Sequence, residues 1–249
     1  LCLLAVGLAQ AQRLGSIATS RGSSWTLDGN AMTNTVAKLT NPANFGGTVA
    51  YSVCLGHESG TITSTVLSQY DVFFIGYWSD GTFTTDELQA MSDWVNAGGY
   101  LFITADDPSF DQVANHFGYP VTDYSTPPNV PASGQASHPV FVGPFGSLSS
   151  YDNFGNYSYF ANTSGATVIA RDNNARAVLI EKDIGSGKIL ISGDVDVVSN
   201  YTLSAGSGIS NNNDRLMANT FHYLLNSFFG AAEINLQGNG QSISAGDIT

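Results

Sequence analysis

The sequence encodes an α/β protein: an open, mostly parallel sheet with helices on both faces and irregular insertions after residue 120. Three features carry that expectation. Asp71-Val72-Phe73-Phe74-Ile75-Gly76 and Tyr100-Leu101-Phe102-Ile103-Thr104 are continuous apolar runs, the mark of strands covered on both faces. Between them Thr84-Thr85-Asp86-Glu87 has the form of a capping box, followed by Leu88, Met91 and Val95 on one helical face and by Gly98 as a left-handed stop. The links are short, so strand, helix and strand succeed one another as a crossover unit of a parallel sheet.

The remaining elements follow from the same periodicities. A short strand is expected over 15–20, and Met32, Val36 and Leu39 give a helix within 30–40. Residues 48–54 are β-rich and 62–69 make a short helical piece. Phe110, Val113, Ala114 and Phe117 give another helix, ended by Gly118. Residues 122–137, rich in Pro, Ser and Thr, and 143–165, rich in Gly, Ser, Asn and Tyr, read as long loops. Strands are expected at 167–170, 177–181 and 188–192, then a last helix over 214–226 with Leu216, Met217, Phe221, Leu224 and Leu225 inward.

Composition narrows the function. The 249 residues are 43% hydrophobic and 11% charged, with Lys+Arg 8 against Asp+Glu 20 and a net charge of -12. No Lys or Arg lies between Lys38 and Arg171, a stretch that carries eleven carboxylates. Nucleic-acid affinity comes largely from Lys and Arg neutralising phosphates, so nucleic acid is excluded as a partner and anionic lipid is disfavoured. The surface suits an extracellular protein that meets cations or neutral polar ligands.

The two ends suggest an address. Residues 1–8 form an apolar run before Ala9-Gln10-Ala11, which fits a leader-peptidase site and is too short to span a bilayer. The expected organisation is a leader remnant at 1–11, an α/β domain at 12–230, and the start of a following β domain at 231–249. Export to a bacterial cell surface or medium is the expected localisation, with no membrane span. Cleavage after Ala11 would leave Cys54 as a lone thiol, without an intramolecular disulfide.

Two resemblances sharpen the picture. The order D-V-F-F-I-G, T-T-D-E-L-Q-A-M-S-D-W-V-N-A-G-G-Y-L-F-I-T-A-D-D and I-G-S-G-K-I-L-I-S-G-D-V-D, across residues 14–229, resembles the flavodoxin-like, class I glutamine amidotransferase-like superfamily, and within it the secreted and ThuA-like branches. The run E-I-N-L-Q-G-N-G-Q-S-I-S-A-G-D near the end is similar to the opening strand of a choice-of-anchor D type β-sandwich of bacterial surface proteins. The first resemblance implies a nucleophilic Cys on the turn after the strand that follows Gly98-Gly99. This sequence has Ala105-Asp106-Asp107-Pro108 there, with neither Cys nor Ser, so glutaminase chemistry is not expected.

In an open parallel sheet, ligands bind beyond the carboxyl ends of the strands. The residues at those ends are the candidates. Asp106, Asp107, Asp194 and Asp196, with His138 approaching from its loop, form an acidic group that suits capping of nearby backbone, a ligand, or Ca²⁺, the one cofactor to consider. Cys54, His57 and Glu58 share a short segment that offers a thiol, a base and an orienter, though neighbours in one loop rarely converge. Tyr77 and Trp78, with the Tyr151, Phe154, Tyr157, Tyr159 and Phe160 group, have the composition of a saccharide-binding surface or of rings covering the core. Gly185-Ser186-Gly187-Lys188 precedes a strand and reads as a turn, not a phosphate loop.

The expectation is therefore a non-catalytic module of an exported surface protein, holding a neutral polar ligand such as a saccharide or serving as scaffold beside further domains of its own chain. The alternative is an extracellular hydrolase of saccharide or peptide that uses the Asp and His residues. A carboxylate pair roughly 5–9 Å apart in an open cleft would favour a glycosidase.

Overall fold

A computed structural model describes residues 10–227 apart from 22, 78–82, 110 and 156. Five parallel strands form its centre: β1 (Gln10–Ile17), β2 (Tyr51–Glu58), β3 (Val72–Ile75), β4 (Tyr100–Thr104) and β12 (Gly187–Ser192). They lie in the order β2-β1-β3-β4-β12, the doubly wound flavodoxin-like arrangement, in which the chain reverses its direction of winding between β1 and β3. The apolar runs at 71–76 and 100–104 become β3 and β4, with Val72, Phe73, Phe74 and Ile75 all buried. β1 begins earlier than expected and takes in Gln10 and Ala11, paired with Tyr51 and Ser52 of β2.

Beyond β12 the sheet turns antiparallel. β11 (Ala177–Ile184) pairs with β12, β10 (Thr167–Arg171) with β11, and β6 (Val130–Pro131) with β10. The 122–137 and 143–165 segments, expected as loops, also supply β5 (Val121–Asp123) and β9 (Ser158–Phe160), which bring the sheet to ten strands. A separate hairpin joins β7 (Val142–Gly143) to β8 (Gly146–Ser147). The Gly185–Lys188 stretch is the β11–β12 hairpin turn, with Gly187 opposite Ile184.

Helices cover both faces. On one lie α1 (Thr33–Leu39) and α5 (Asn212–Ser227), where Leu39, Met217, Phe221 and Leu225 pack on Leu14, Phe74 and Phe102. On the other lie α2 (Ser64–Leu67), α3 (Thr85–Asn96) and α4 (Gln112–His116), where Leu67, Leu88, Met91 and Val95 pack on Phe73, Leu101 and Ile103. The alternation of inward directions along each strand produces these two apolar layers.

Two buried carboxylates fasten the periphery. At the start of α3 the Glu87 side chain accepts the Thr84 N–H at 2.9 Å and the Thr84 hydroxyl accepts the Glu87 N–H at 3.2 Å, the reciprocal cap read from the sequence. Glu87 also accepts from Ile62 N–H and from Arg21, each at 2.9 Å. Near α5, fully buried Lys38 faces fully buried Asp214 at 3.4 Å and donates to the carbonyls of Ser204 and Gly206. This pair anchors the 199–211 segment against α1. Among the described residues no helix is long and apolar enough to cross a membrane.

Candidate functional site

Two glycines let the chain fold over the carboxyl ends of its parallel strands. Gly76 follows β3, and a Cβ there would stand 1.9 Å from the Trp25 carbonyl oxygen. Gly193 follows β12, and a Cβ there would stand 2.3 Å from the carbonyl oxygen of Ser158. Only glycine permits such approaches. The Ser23 hydroxyl, bonded to the Tyr77 carbonyl and accepting the Trp25 N–H at 3.1 Å, pins the first loop. Ser158 pins the second: its N–H donates to Gly193 O at 2.7 Å and its hydroxyl to Asp106 O at 2.7 Å. The chain thus passes close over the ends of β3 and β12.

At the strand ends the structure brings Asp106, Asp194 and Asp196 together. Asp194 is 2% exposed, and both its oxygens accept backbone N–H groups: Oδ1 that of Asp196 at 2.7 Å and Oδ2 that of Phe154 at 3.2 Å. Burial, followed by the charges of Asp106 and Asp196, pushes the Asp194 carboxyl well above the usual range despite those bonds. Asp196 accepts the Trp25 indole N–H at 3.0 Å and the Ser199 hydroxyl at 2.5 Å, both on Oδ1. Burial raises Asp196 as well, and these two bonds oppose it. The Asp106 N–H is held by Asp111 at 3.1 Å. Asp107 stands apart, half-buried, accepting the Ser109 N–H at 2.7 Å in an Asx turn. Asp194 and Asp107 therefore do accept backbone amides.

The other candidates disperse. His138 lies at the opposite end of the β11–β12 hairpin, 3.5 Å from Glu181 and edge-on to Tyr223, with Nδ1 accepting the Val140 N–H at 3.3 Å. The Pro139 turn directs it onto β11, away from the Asp group. Glu181 also accepts from Lys188 and Tyr223, each at 3.0 Å. Burial works against its charge, but hydrogen bonds from His138 and Lys188 and the Lys188 charge hold it down to about 2. His57 is exposed, 3.5 Å from the Ser16 hydroxyl, and Glu58 accepts from the Tyr70 hydroxyl. Successive residues on β2 point to opposite faces, so they do not converge. Cys54 is disulfide-bonded, contrary to the lone thiol expected; a thiol, base and orienter are not assembled there. Trp78, residues 1–9 of the expected leader and the 231–249 run lie outside the described residues.

The aromatic residues divide sharply. Tyr151 and Phe160 are buried, covering the core, and burial with the Asp194 charge raises the Tyr151 hydroxyl. Phe154 and Tyr201 are 48% and 54% exposed and stack on each other, centroids 4.9 Å apart and planes within 11°. The backbone of each is tied to the Asp group: Phe154 through its N–H on Asp194, Tyr201 through its N–H on Ser199 Oγ, which itself donates to Asp196. Trp25, edge-on to Tyr77 at 5.5 Å, completes an aromatic rim around Asp196. Trp25 and Tyr201 are absent from the sequence candidates, since the contacts that place them span 171 residues in one case and a turn after β12 in the other.

Cations are scarce and engaged. Arg13, Arg21, Lys38, Arg176 and Lys188 form ion pairs with Asp71, Glu87, Asp214, Asp172 and Glu181. Arg171 and Lys182 donate to backbone carbonyls and Arg215 to Asn212. Among the described residues no group of three or more His, Cys, Asp and Glu is arranged to hold a metal ion.

No protein-family model and no curated protein matches the sequence. Solved structures do match. The N-terminal domain of mmIFT52 has a TM-score of 0.62 at 13% identity, covering 86% of this chain and 97% of that one. A ThuA-like protein from Bacteroides uniformis has a TM-score of 0.53 at 9% identity, over 90% of this chain and 94% of that one. A GMP synthase-type protein from Thermoplasma acidophilum has a TM-score of 0.52 at 12% identity, over 88% and 96%. At such identities the likeness establishes fold alone: the chain shares an open, mostly parallel α/β fold with these structures.

Proposed function

We propose that this chain is a non-catalytic amidotransferase-like module of an exported bacterial surface protein, and that it holds a neutral polar ligand such as a saccharide at the rim formed by Trp25, Phe154 and Tyr201. The observation that carries this reading is the exposed Phe154–Tyr201 stack, whose Phe154 backbone N–H is bonded to Asp194 at the strand ends. Ring faces cover the apolar face of a sugar, and side-chain oxygens and amides bond its hydroxyls. The turn where the resemblance implies a nucleophile reads Ala105-Asp106-Asp107-Pro108, which gives no thiol or hydroxyl for acyl transfer. The hydrolase alternative has less support, because both oxygens of Asp194 are consumed by backbone N–H groups and Asp196 is held by Trp25 and Ser199.

A glycan array probed with the purified protein and with Phe154→Ala/Tyr201→Ala tests the binding reading. Glycans retained by the first and lost by the second support it; no retention by either overturns it. Ammonia released from glutamine by the purified protein would overturn the non-catalytic half.

A further inference from the structure

The two exposed rings of the rim stand on different loops. Phe154 follows Tyr151 in the segment before β9, and Tyr201 follows the short 3-10 turn Asp196–Val198 after β12. Their contact is half open to water and gains too little to order two loops by itself. One buried side chain meets both loops. Asn213, in the first turn of α5, is 4% exposed. Its Oδ1 accepts the Asp152 N–H at 3.1 Å, and its Nδ2 donates to the Asp152 carbonyl at 2.9 Å and to the Val197 carbonyl at 3.3 Å. The oxygen and both amide hydrogens are thus in use. The bonds to Asp152 clasp the backbone just before Phe154 as a neighbouring strand would, and the bond to Val197 grips the turn that leads to Tyr201. Asp194 bridges the same loops from the end of β12, through the N–H groups of Phe154 and Asp196. With Asn213 as a second tie on a different element, the loops cannot pivot about the first.

Asn219 makes the same kind of clasp elsewhere on α5. It is fully buried, accepts the Phe145 N–H at 3.2 Å and donates to the Gly146 carbonyl at 2.9 Å, and so fastens the β7–β8 hairpin, which carries neither ring. We infer that Asn213 is a positioning residue for the rim: it holds the Phe154 and Tyr201 loops in one frame, so that the stacked pair is in place before a saccharide arrives. This rests on the saccharide-binding reading above and adds the side chain that preorganises its surface. A surface ordered beforehand relieves the ligand of immobilising two side chains and their loops. Loss of Asn213 should therefore weaken binding although it removes neither ring.

The test compares Asn213→Ala with Asn219→Ala, each the loss of a buried amide from one helix, so that both should lower the melting temperature alike. Asn213→Ser, whose hydroxyl is too short to reach both loops, takes the place of Asn213→Ala if that variant does not fold. The first readout needs no ligand: the ring-current shift of the Tyr201 ring protons by NMR, defined as the part that Phe154→Ala abolishes. The second is retention on an array of neutral oligosaccharides. The inference requires Asn213→Ala to lose most of the shift and about tenfold in affinity for the oligosaccharides that the unaltered protein retains, while Asn219→Ala changes neither. A shift kept in Asn213→Ala overturns the positioning role. Its loss in both variants overturns the role too, since that would be a general loosening around α5. A lost shift with unchanged retention overturns it as well. If the unaltered protein retains no oligosaccharide, the saccharide reading falls, and the ring shift still decides whether Asn213 positions the pair.

Discussion

Asp214 and Asp194 are the same residue type, equally hidden from water at 0% and 2% exposure, yet the protein treats them in opposite ways. Asp214 sits where the loop after β12 meets α5, with the Lys38 ammonium at 3.4 Å, the Ser204 hydroxyl, and the N–H groups of Ser210 and Asn211. Burial opposes its charge, but those bonds and the lysine hold its carboxyl below the usual range. Asp194 has two backbone N–H groups and two carboxyl neighbours, and it is pushed up. Burial does not by itself decide ionisation; the partners do. One carboxylate is a fastening of the fold. The other belongs to a group of like charges that the fold tolerates at its strand ends, where functional sites of open α/β sheets lie.

The largest effect should come from breaking the compensated side. Lys38→Met leaves Asp214 buried without its cation and is expected to cost about 3–5 kcal/mol in denaturant unfolding. A loss below about 1 kcal/mol would mean that the hydroxyl and amides alone satisfy Asp214, and the comparison would collapse. Gly193→Ala acts on the other side, forcing the Ser158 carbonyl off the end of β12. Overpacking of this kind should cost about 1–3 kcal/mol, read from the same unfolding curves.

Asp196→Asn sharpens the comparison through pH. The amide oxygen still accepts from Trp25 and Ser199, while one charge is lost from the group. A carboxyl whose folded pKa is raised favours the folded state at low pH, and that contribution is lost as pH rises from about 4 through the folded value. The variant should therefore gain on the natural protein as pH rises, with the gap closing again near pH ~4. Asp214 and Glu181, both lowered, work in reverse: their contribution is present above about pH 4.5 and disappears as pH falls toward their folded values, which for Glu181 is about 2. A pH-independent difference between Asp196→Asn and the natural protein would remove Asp196 from the high-pKa group. The smallest stability effect belongs to Phe154→Ala. With the ring half-exposed, stability should move by no more than about 0.5 kcal/mol, and a larger loss would make the stack a structural element instead of a binding surface.

Local chemistry makes much of this fold legible. The Thr84–Glu87 box, the Gly98 stop, which has a φ of 119°, and the two apolar strands around them are written in neighbouring residues, and each appears as read. The first half of β1 is obscured because an alternating Gln10-Ala11-Gln12-Arg13 stretch also satisfies a leader-cleavage pattern; its strand character comes from pairing with β2. The site is legible in part for the same reason. Asp106, Asp194 and Asp196 stand at predictable strand ends, so their meeting follows from strand order. His138 falls elsewhere than expected because a loop residue has no register to fix it. Trp25 is invisible to sequence reading: Gly76, which admits it, is one small residue whose purpose shows only when the opposing backbone is in place.

The far margin of the sheet has a bearing on how molecules of this protein meet one another. On its antiparallel side the sheet ends in β6, whose two residues are Val130 and Pro131. A proline carries no amide hydrogen to offer an incoming strand, and a two-residue margin gives it little to align against. Strands that stack edge to edge into fibrils find little template at β6, so crowding in a concentrated solution should not zip neighbouring copies together along it.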